Sequence, residues 1–347
     1  MTQPKGIHLG IGLDLAEHEN PRGAGRRDFW DALVRRLDGT SDFVTLQDRF
    51  ARADGDGLDA ILFANWLGSR TRDIGIIAGA PLNFLEPFHV STAIATLDYV
   101  TEGRAGLLIQ RPYGEEAASA ARAIGPLGGF PAKDATALDR DTLEALEVVR
   151  RLWDSWEDGA EIRDTQSQRF LDGSKLHYID FKSEGFSVLG PSITPRPPQG
   201  QPVAATTFAS GDDPAFAAAA DVIFLHSGAD GLKSLLQTVR GGTEGQRALI
   251  LADIAVAFGR STEPDFPALH WSGDAAGLAE QVASWASIGL DGFRFHPRDL
   301  ERDVNGLVET VFPALRQAGL ASNTGGPTLR ARLGLPPAAN RYATAAA

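Results

Sequence analysis

Several apolar runs in this chain end directly on polar side chains able to do chemistry. "RAGLLIQ" ends on Gln110 and runs into Arg111 and Pro112; "VIFLHSG" ends on His226 and Ser227; "DFVTLQD" ends on Gln47 and Asp48; "DGFRFHP" ends on His296. A histidine changes charge near neutral pH and an arginine stabilises a developing anion, so His226 and Arg111 are the candidate catalytic groups. The stretch "TTFASGDDPAF", residues 206–216, offers a second kind of site. Ser210, Gly211 and the free amides ahead of Pro214 open a helix, where hydroxyl, amides and dipole together could hold a phosphate. The competing reading is that Asp212 or Asp213 caps that helix, since two aspartates repel an anion.

Other chemistries are excluded by what the sequence lacks. The chain has no cysteine, which removes disulfides, thiolate metal sites and a cysteine nucleophile. No H-x-H or H-E-x-x-H occurs, so no metal is expected, and neither G-x-S-x-G nor a Walker G-x-x-x-x-G-K-[ST] is present. A net charge of −12 argues against a nucleic-acid surface and an anionic membrane, leaving a small molecule as the expected partner. No run approaches the roughly 20 apolar residues of a membrane span, and the N-terminus lacks the pattern of a signal peptide. The expected location is cytoplasmic.

The elements that must position these residues alternate. "GIHLGIGLDL", which ends near Asp14, "DFVTLQD", "IGIIAGAPL" with Gly79 and Ala80, and "RAGLLIQ" read as strands one to four. Helices stand between them: "RRDFWDALVRRLDGT", "GLDAILFANWLGSRTRD" and "EPFHVSTAIATLDYVTEG", the last with Pro87 near its start and Gly103 just past its end. "DRDTLEALEVVRRLWDSW" is a fourth helix, with Leu143, Leu146, Val149 and Trp153 at helical spacing. "QPVAATTFA", "VIFLHSG", "ALILADIAVAF" and "DGFRFHP" continue the strands, for about eight strand and helix pairs. Right-handed crossovers then require a parallel sheet, and eight units close a (β/α)₈ TIM barrel, which is the fold expected in preference to an open doubly wound sheet.

A barrel of about 250 residues leaves roughly a hundred over. Insertions are expected at about 111–137, after strand four, and 157–201, before strand five, inside a single barrel domain over 1–320. The second insertion reads as short strands and turns ending in an extended Pro-rich connector. Residues 321–347 read as a C-terminal arm able to wrap a partner subunit, frayed at its last alanines. His8 and His89 have core or cap readings, His177 lies in the second insertion, and the tryptophans of "RRLWDSWED" read as packing anchors.

Longer blocks carry a family resemblance. "EPFHVSTAIATLDYVTEGRAG", "VVRRLWDSWEDGAEIRD", "KLHYIDF", "VLGPSITPRPPQGQPV", "GLDGFRF" and "TLRARLGLPPAANRY" are similar to the bacterial luciferase-like flavin-dependent monooxygenases. The branch resembled contains the nitrilotriacetate, pristinamycin and dibenzothiophene-sulfone monooxygenases. The resemblance implies a barrel that binds reduced FMN from a separate flavin reductase, uses O₂ on a small organic substrate and assembles as a homodimer or larger homo-oligomer. It places Asp48, Gly79, Ala80 and Gln110 around the flavin ring and Ser210 with Gly211 near the phosphate. The chain also departs from the family pattern. Leu107, Leu108, Arg111 and Pro112 stand where relatives carry Trp, Asn and Thr or Ser; Asp139 stands near the place of a phosphate-binding tyrosine; and Thr206, Thr207 and Phe208 replace Gln-Ala-Gly. Two alternatives follow: a flavin-free, non-catalytic homologue acting as a subunit or ligand binder, and a deazaflavin-dependent oxidoreductase.

Overall fold

The computed structural model describes residues 6–14, 27–49, 57–112, 114–124, 134–245, 247–260, 264, 266–321 and 325–343. Its parallel strands are β1 (His8–Asp14), β2 (Phe43–Gln47), β3 (Gly75–Pro81), β4 (Ala105–Gln110), β5 (Val203–Ala209), β6 (Val222–His226), β7 (Leu249–Val256) and β8 (Gly292–Pro297). Each pairs with its sequence neighbour, and β8 pairs back onto β1 through His8 and Gly292, so the sheet closes as the expected TIM barrel. Strands enclosed on both faces have no solvent side to mark with polar residues, which is why they read as continuous apolar runs.

Alternate residues face two different cores. Phe43, Ile77, Leu108, Val203, Ala205, Val222, Phe224, Leu249 and Leu251 fill the barrel, while Leu46, Ala80, Leu107, Phe208 and Leu225 face the helices. The helices show the caps that their sequences carry. Asp59 accepts from Leu62 N at the start of α2 (Ala60–Gly68), and Glu86 accepts from Phe88 and His89 amides at α3 (Pro87–Val100), which stops before Gly103 at φ +90°. The fourth helix of the sequence reading begins one turn earlier than its apolar pattern, because Asp134 caps it: it spans Ala135–Asp154. Trp153 and Trp156 are the anchors expected, donating to Ser91 O and Ser192 O at 3.0 and 2.8 Å.

The first insertion contains a helix, Gly114–Ile124, that the sequence reading left unassigned; Ala117 and Ala120 pack on Phe84 and Leu138. Residues 125–133 of that insertion lie outside the described residues. The second contains two small antiparallel pairs, Glu161–Asp164 with Arg169–Leu171 and Phe181–Lys182 with Ser187–Val188, before its Pro-rich connector. Beyond β7 a short strand, Leu269–Trp271, pairs parallel with its end and was not expected.

The C-terminal arm packs onto its own barrel. Leu329, Leu333 and Leu335 enter the inner core and close the N-terminal end of the strands. Gly75 makes room for this, since a Cβ there would stand 2.5 Å from Leu329 Cδ1. The final alanines lie outside the described residues. Among the described residues no helix is long and apolar enough to cross a membrane.

Candidate active site

At the carboxyl end of β6, β7 and β8 the barrel interior becomes ionic. Asp253 of β7 and Arg294 of β8 are register partners on adjacent strands, both fully buried. Arg294 donates Nε to Asp253 Oδ1 and Nη2 to Oδ2, each at 2.7 Å, and its guanidinium lies 3.8 Å over the Phe224 ring. Two imidazoles approach the same carboxylate: His226 Nε2 is 2.7 Å from Oδ2 and His296 Nε2 is 3.1 Å from Oδ1. Phe266 sits against both rings, at centroid distances of 5.1 and 4.8 Å.

The fold makes space for this cluster by leaving β1 bare. A Cβ on Gly12 would lie 2.4 Å from His296 Cε1, and one on Gly10 2.2 Å from the Phe43 ring. Burial works to raise the Asp253 carboxyl, but the charges of Arg294 and His296, with hydrogen bonds from Arg294 and His226, hold it well below the usual carboxylate range. Burial lowers the His296 imidazole, against the pull of Asp253 and with the repulsion of Arg294 and His226. The arrangement can therefore keep one anion fixed while two imidazoles, 20% and 13% exposed at the side chain, handle protons beside it.

The opposite side of the mouth is built on β2, β3 and β4. Gln110 reaches across β3, accepting at Oε1 from Asp48 N at 2.8 Å and donating Nε2 to Asp48 O at 2.9 Å. Gly79 is the strand position that it crosses: a Cβ there would stand 2.1 Å from Gln110 Oε1. The Asp48 carboxylate accepts from Arg49 N at 2.7 Å and lies 3.5 Å from Ala60 N, tying the end of β2 to the start of α2. Three of the residues expected around the flavin ring thus share one clamp. Ala80 instead packs its methyl group among the residues between strands and helices.

The rim after β4 and β5 differs again. Arg111 donates Nη2 to Asp212 Oδ2 at 2.7 Å and to Thr207 O at 3.1 Å, and stacks 4.0 Å over Phe216. The Asp212 carboxylate also accepts from Ala209 N at 2.8 Å, so it already occupies the amide and the guanidinium that an external anion would use. Asp213 caps the following helix, Pro214–Ala219, as the capping reading expected. Ser210 and Gly211 are exposed beside them. Burial raises the Asp139 carboxyl, with Arg111 opposing and Asp212 and Asp213 adding repulsion. Three carboxylates around one committed arginine do not fit the dianionic phosphate of FMN.

Of the remaining candidates, His8 is buried at the foot of the barrel 3.5 Å from Asp42, and His177 lies in the second insertion, 2.7 Å from Glu157 and stacked on Tyr342. Ser227 donates to Gly228 O, and the side chain of Asp14 lies outside what is described. Sequence reasoning missed Asp253 and Arg294. The available signal was a lone aspartate in "LILADIAV" and an arginine between two phenylalanines in "GFRFHP", each a formal charge inside an apolar run.

A family model described as luciferase-like monooxygenase matches residues 39–263. The chain is 38% identical over 159 residues to N-acetyl-S-(2-succino)cysteine monooxygenase of Bacillus subtilis (strain 168), covering 46% of this chain and 35% of that protein. It is 32% identical over 224 residues to nitrilotriacetate monooxygenase component A of Aminobacter aminovorans, covering 58% and 47%. The matched part thus spans about a third to a half of the length of these curated relatives. Among solved structures, a long-chain alkane monooxygenase superposes with TM-score 0.82 at 19% identity over 95% of this chain and 96% of its own, a likeness of fold.

Proposed function

The chain belongs to the luciferase-like monooxygenase family, and from that premise we propose that it is a monooxygenase acting with reduced flavin and O₂ on a small, partly apolar organic substrate. The observation that carries the reading is the family match, which runs from before β2 to beyond β7 and so includes most strands that meet at the mouth. The flavin is proposed to arrive as reduced FMN from a separate flavin reductase. Asp48, Gly79 and Gln110 are proposed to flank the flavin ring, with Ala80 contributing backbone.

The proposed work of this chain's own residues is proton handling. Asp253, kept ionised beside Arg294, faces Nε2 of His226 and of His296. At 2.7 and 3.1 Å the fixed negative charge of Asp253 stands against the Nε2 edge of each ring, where a proton would be carried. His226, the more exposed of the two, is proposed as the general acid or base, and His296, lowered by burial, as a neutral partner. Arg111 is a positioning residue in this reading, since Asp212 and Thr207 hold its guanidinium.

A cytoplasmic homodimer with one barrel domain over 1–320 and an arm over 321–347 completes the proposal. The dimer is supported by apolar side chains on the packed α2 and α3 helices, where Leu62 is 72% exposed and Tyr99 and Val100 are 44% and 43% exposed. Light scattering of the purified protein checks it. The acidic rim of Asp139, Asp212 and Asp213 favours a second reading, a flavin-free ligand binder. Titration with oxidised flavin, read by fluorescence quenching and by the melting temperature, separates the two. Binding of a flavin is expected; no binding of any flavin at millimolar concentration overturns the monooxygenase reading.

A further inference from the structure

The rim after β4 and β5 holds an anion of its own. The Asp212 carboxylate takes the Ala209 amide at 2.8 Å and the Arg111 guanidinium at 2.7 Å, the two kinds of donor with which a protein grips a phosphate. Arg111 has little freedom to turn elsewhere: its side chain is 7% exposed, it donates to Thr207 O, and Phe216 lies under its plane. The helix behind the loop has its start occupied too, because Asp213 accepts from Ala215 N there. Asp139, on the helix Ala135–Asp154, faces the same group of charges. Three carboxylates against one arginine leave a local excess of two negative charges, with the arginine already paired.

Among the described residues the rim after β4 and β5 offers no phosphate grip, and we infer that a flavin with a neutral ribityl tail binds this chain at least as tightly as FMN. The inference rests on the flavin reading proposed above. It concerns the tail alone, because the clamp of Asp48, Gly79 and Gln110 is held by the hydrogen bonds between Gln110 and Asp48 themselves, and the cluster of His226, Asp253 and His296 lies on β6, β7 and β8. Riboflavin is the neutral-tailed probe, and FMN the same molecule with a dianion at its end. Like charge at this rim opposes the second and is indifferent to the first.

The test titrates the full chain with oxidised riboflavin and oxidised FMN in parallel, following loss of flavin fluorescence. Riboflavin is expected to bind as tightly as FMN or tighter at low salt. The gap is expected to close towards about 1 M salt, where the screening length falls to about 3 Å. Asp212→Asn, which removes a charge and frees Arg111, is expected to strengthen FMN binding about tenfold. Asp139→Asn, a milder change that leaves the loop's hydrogen bonds in place, is expected to strengthen it about threefold. Riboflavin affinity is expected to stay constant in both variants and so reports on folding. FMN binding tenfold tighter than riboflavin in the unaltered chain would overturn the inference while leaving the flavin reading intact. So would a loss of FMN affinity on Asp139→Asn at constant riboflavin affinity. Binding of neither flavin by the unaltered chain would overturn both.

Discussion

At the foot of the barrel, Arg330 and Arg332 are held largely by groups that do not titrate: Arg330 donates to Gln201 O and Pro336 O besides its pairing with Asp221, and Arg332 donates to Asp42 O besides Asp73. At the mouth, Arg294 is answered by one carboxylate, Asp253, which two histidines also approach. Both ends bury positive charge, but one fastens the arm in place and the other keeps exchangeable protons around a fixed anion. The foot fastens the arm mainly through the carbonyl oxygens of Gln201, Pro336 and Asp42. The mouth instead sets two imidazoles against one carboxylate, the kind of groups from which an acid–base site is built.

The sharpest break of the comparison is Asp253→Ala. It leaves Arg294 buried and unpaired, and the expected loss of stability is about 3–5 kcal/mol, measured by urea unfolding. At the foot, Leu329→Ala removes an apolar contact with no charge at stake and is expected to cost about 3 kcal/mol in the same measurement. Its folded fraction should retain the turnover of the parent, because the change is at the far end of the strands. His226→Gln should do the reverse, lowering turnover about a hundredfold or more with a small change in the unfolding midpoint. Equal loss of activity in both variants would erase the distinction between the ends.

The pH dependence sharpens it further, because the ends have opposite signs. Near the foot, burial lifts the Asp98 carboxyl to about 6, against hydrogen bonds from Gln199 and Ala105 and the charge of Arg330. A carboxyl raised in the fold contributes stability below its ordinary value of 3.8, and that contribution is lost as the pH rises through about 6. The amount is on the order of 3 kcal/mol. At the mouth, Asp253 is depressed, so its contribution is lost as the pH falls, and His296 is lowered from 6.5, so its contribution is also lost as the pH falls below that value. Between about pH 4 and about pH 6.5, Asp98→Asn should therefore steepen the rise of the urea midpoint, and His296→Gln should flatten it. The last effect expected is Gly79→Ala, about 1–3 kcal/mol, because the new methyl group displaces the Gln110 amide from Asp48 and stands 2.6 Å from the Leu46 carbonyl oxygen.

Much of this was legible from sequence for a simple reason. Barrel strands enclosed on both faces read as apolar runs, and Gly103, Pro87 and Asp59 mark helix ends by local chemistry that needs no tertiary partner. The residues closing the runs were legible too, which is how His226, His296, Asp48 and Gln110 were found at the mouth. Asp253 and Arg294 were not, because neither closes its strand, and a lone charge within a strand carries no label saying whether it faces solvent or the barrel axis. The loop after β5 admitted both a phosphate and a cap, since Ser210, Asp212 and Asp213 suit either.

The amino-acid sequence by itself determined the order of strands and helices, the closed barrel, the two insertions and the family, because these follow from hydrophobic period, turn chemistry and motif order. Only the tertiary structure decided which charges meet. Pairing Asp253 with Arg294 requires β7 and β8 side by side in register, room for His296 requires Gly12 across the seam where β8 meets β1, and the pairing of Arg111 with Asp212 joins residues a hundred positions apart. Electrostatic energy depends on distances of a few ångströms, and distances of that kind are set by the closure of the sheet.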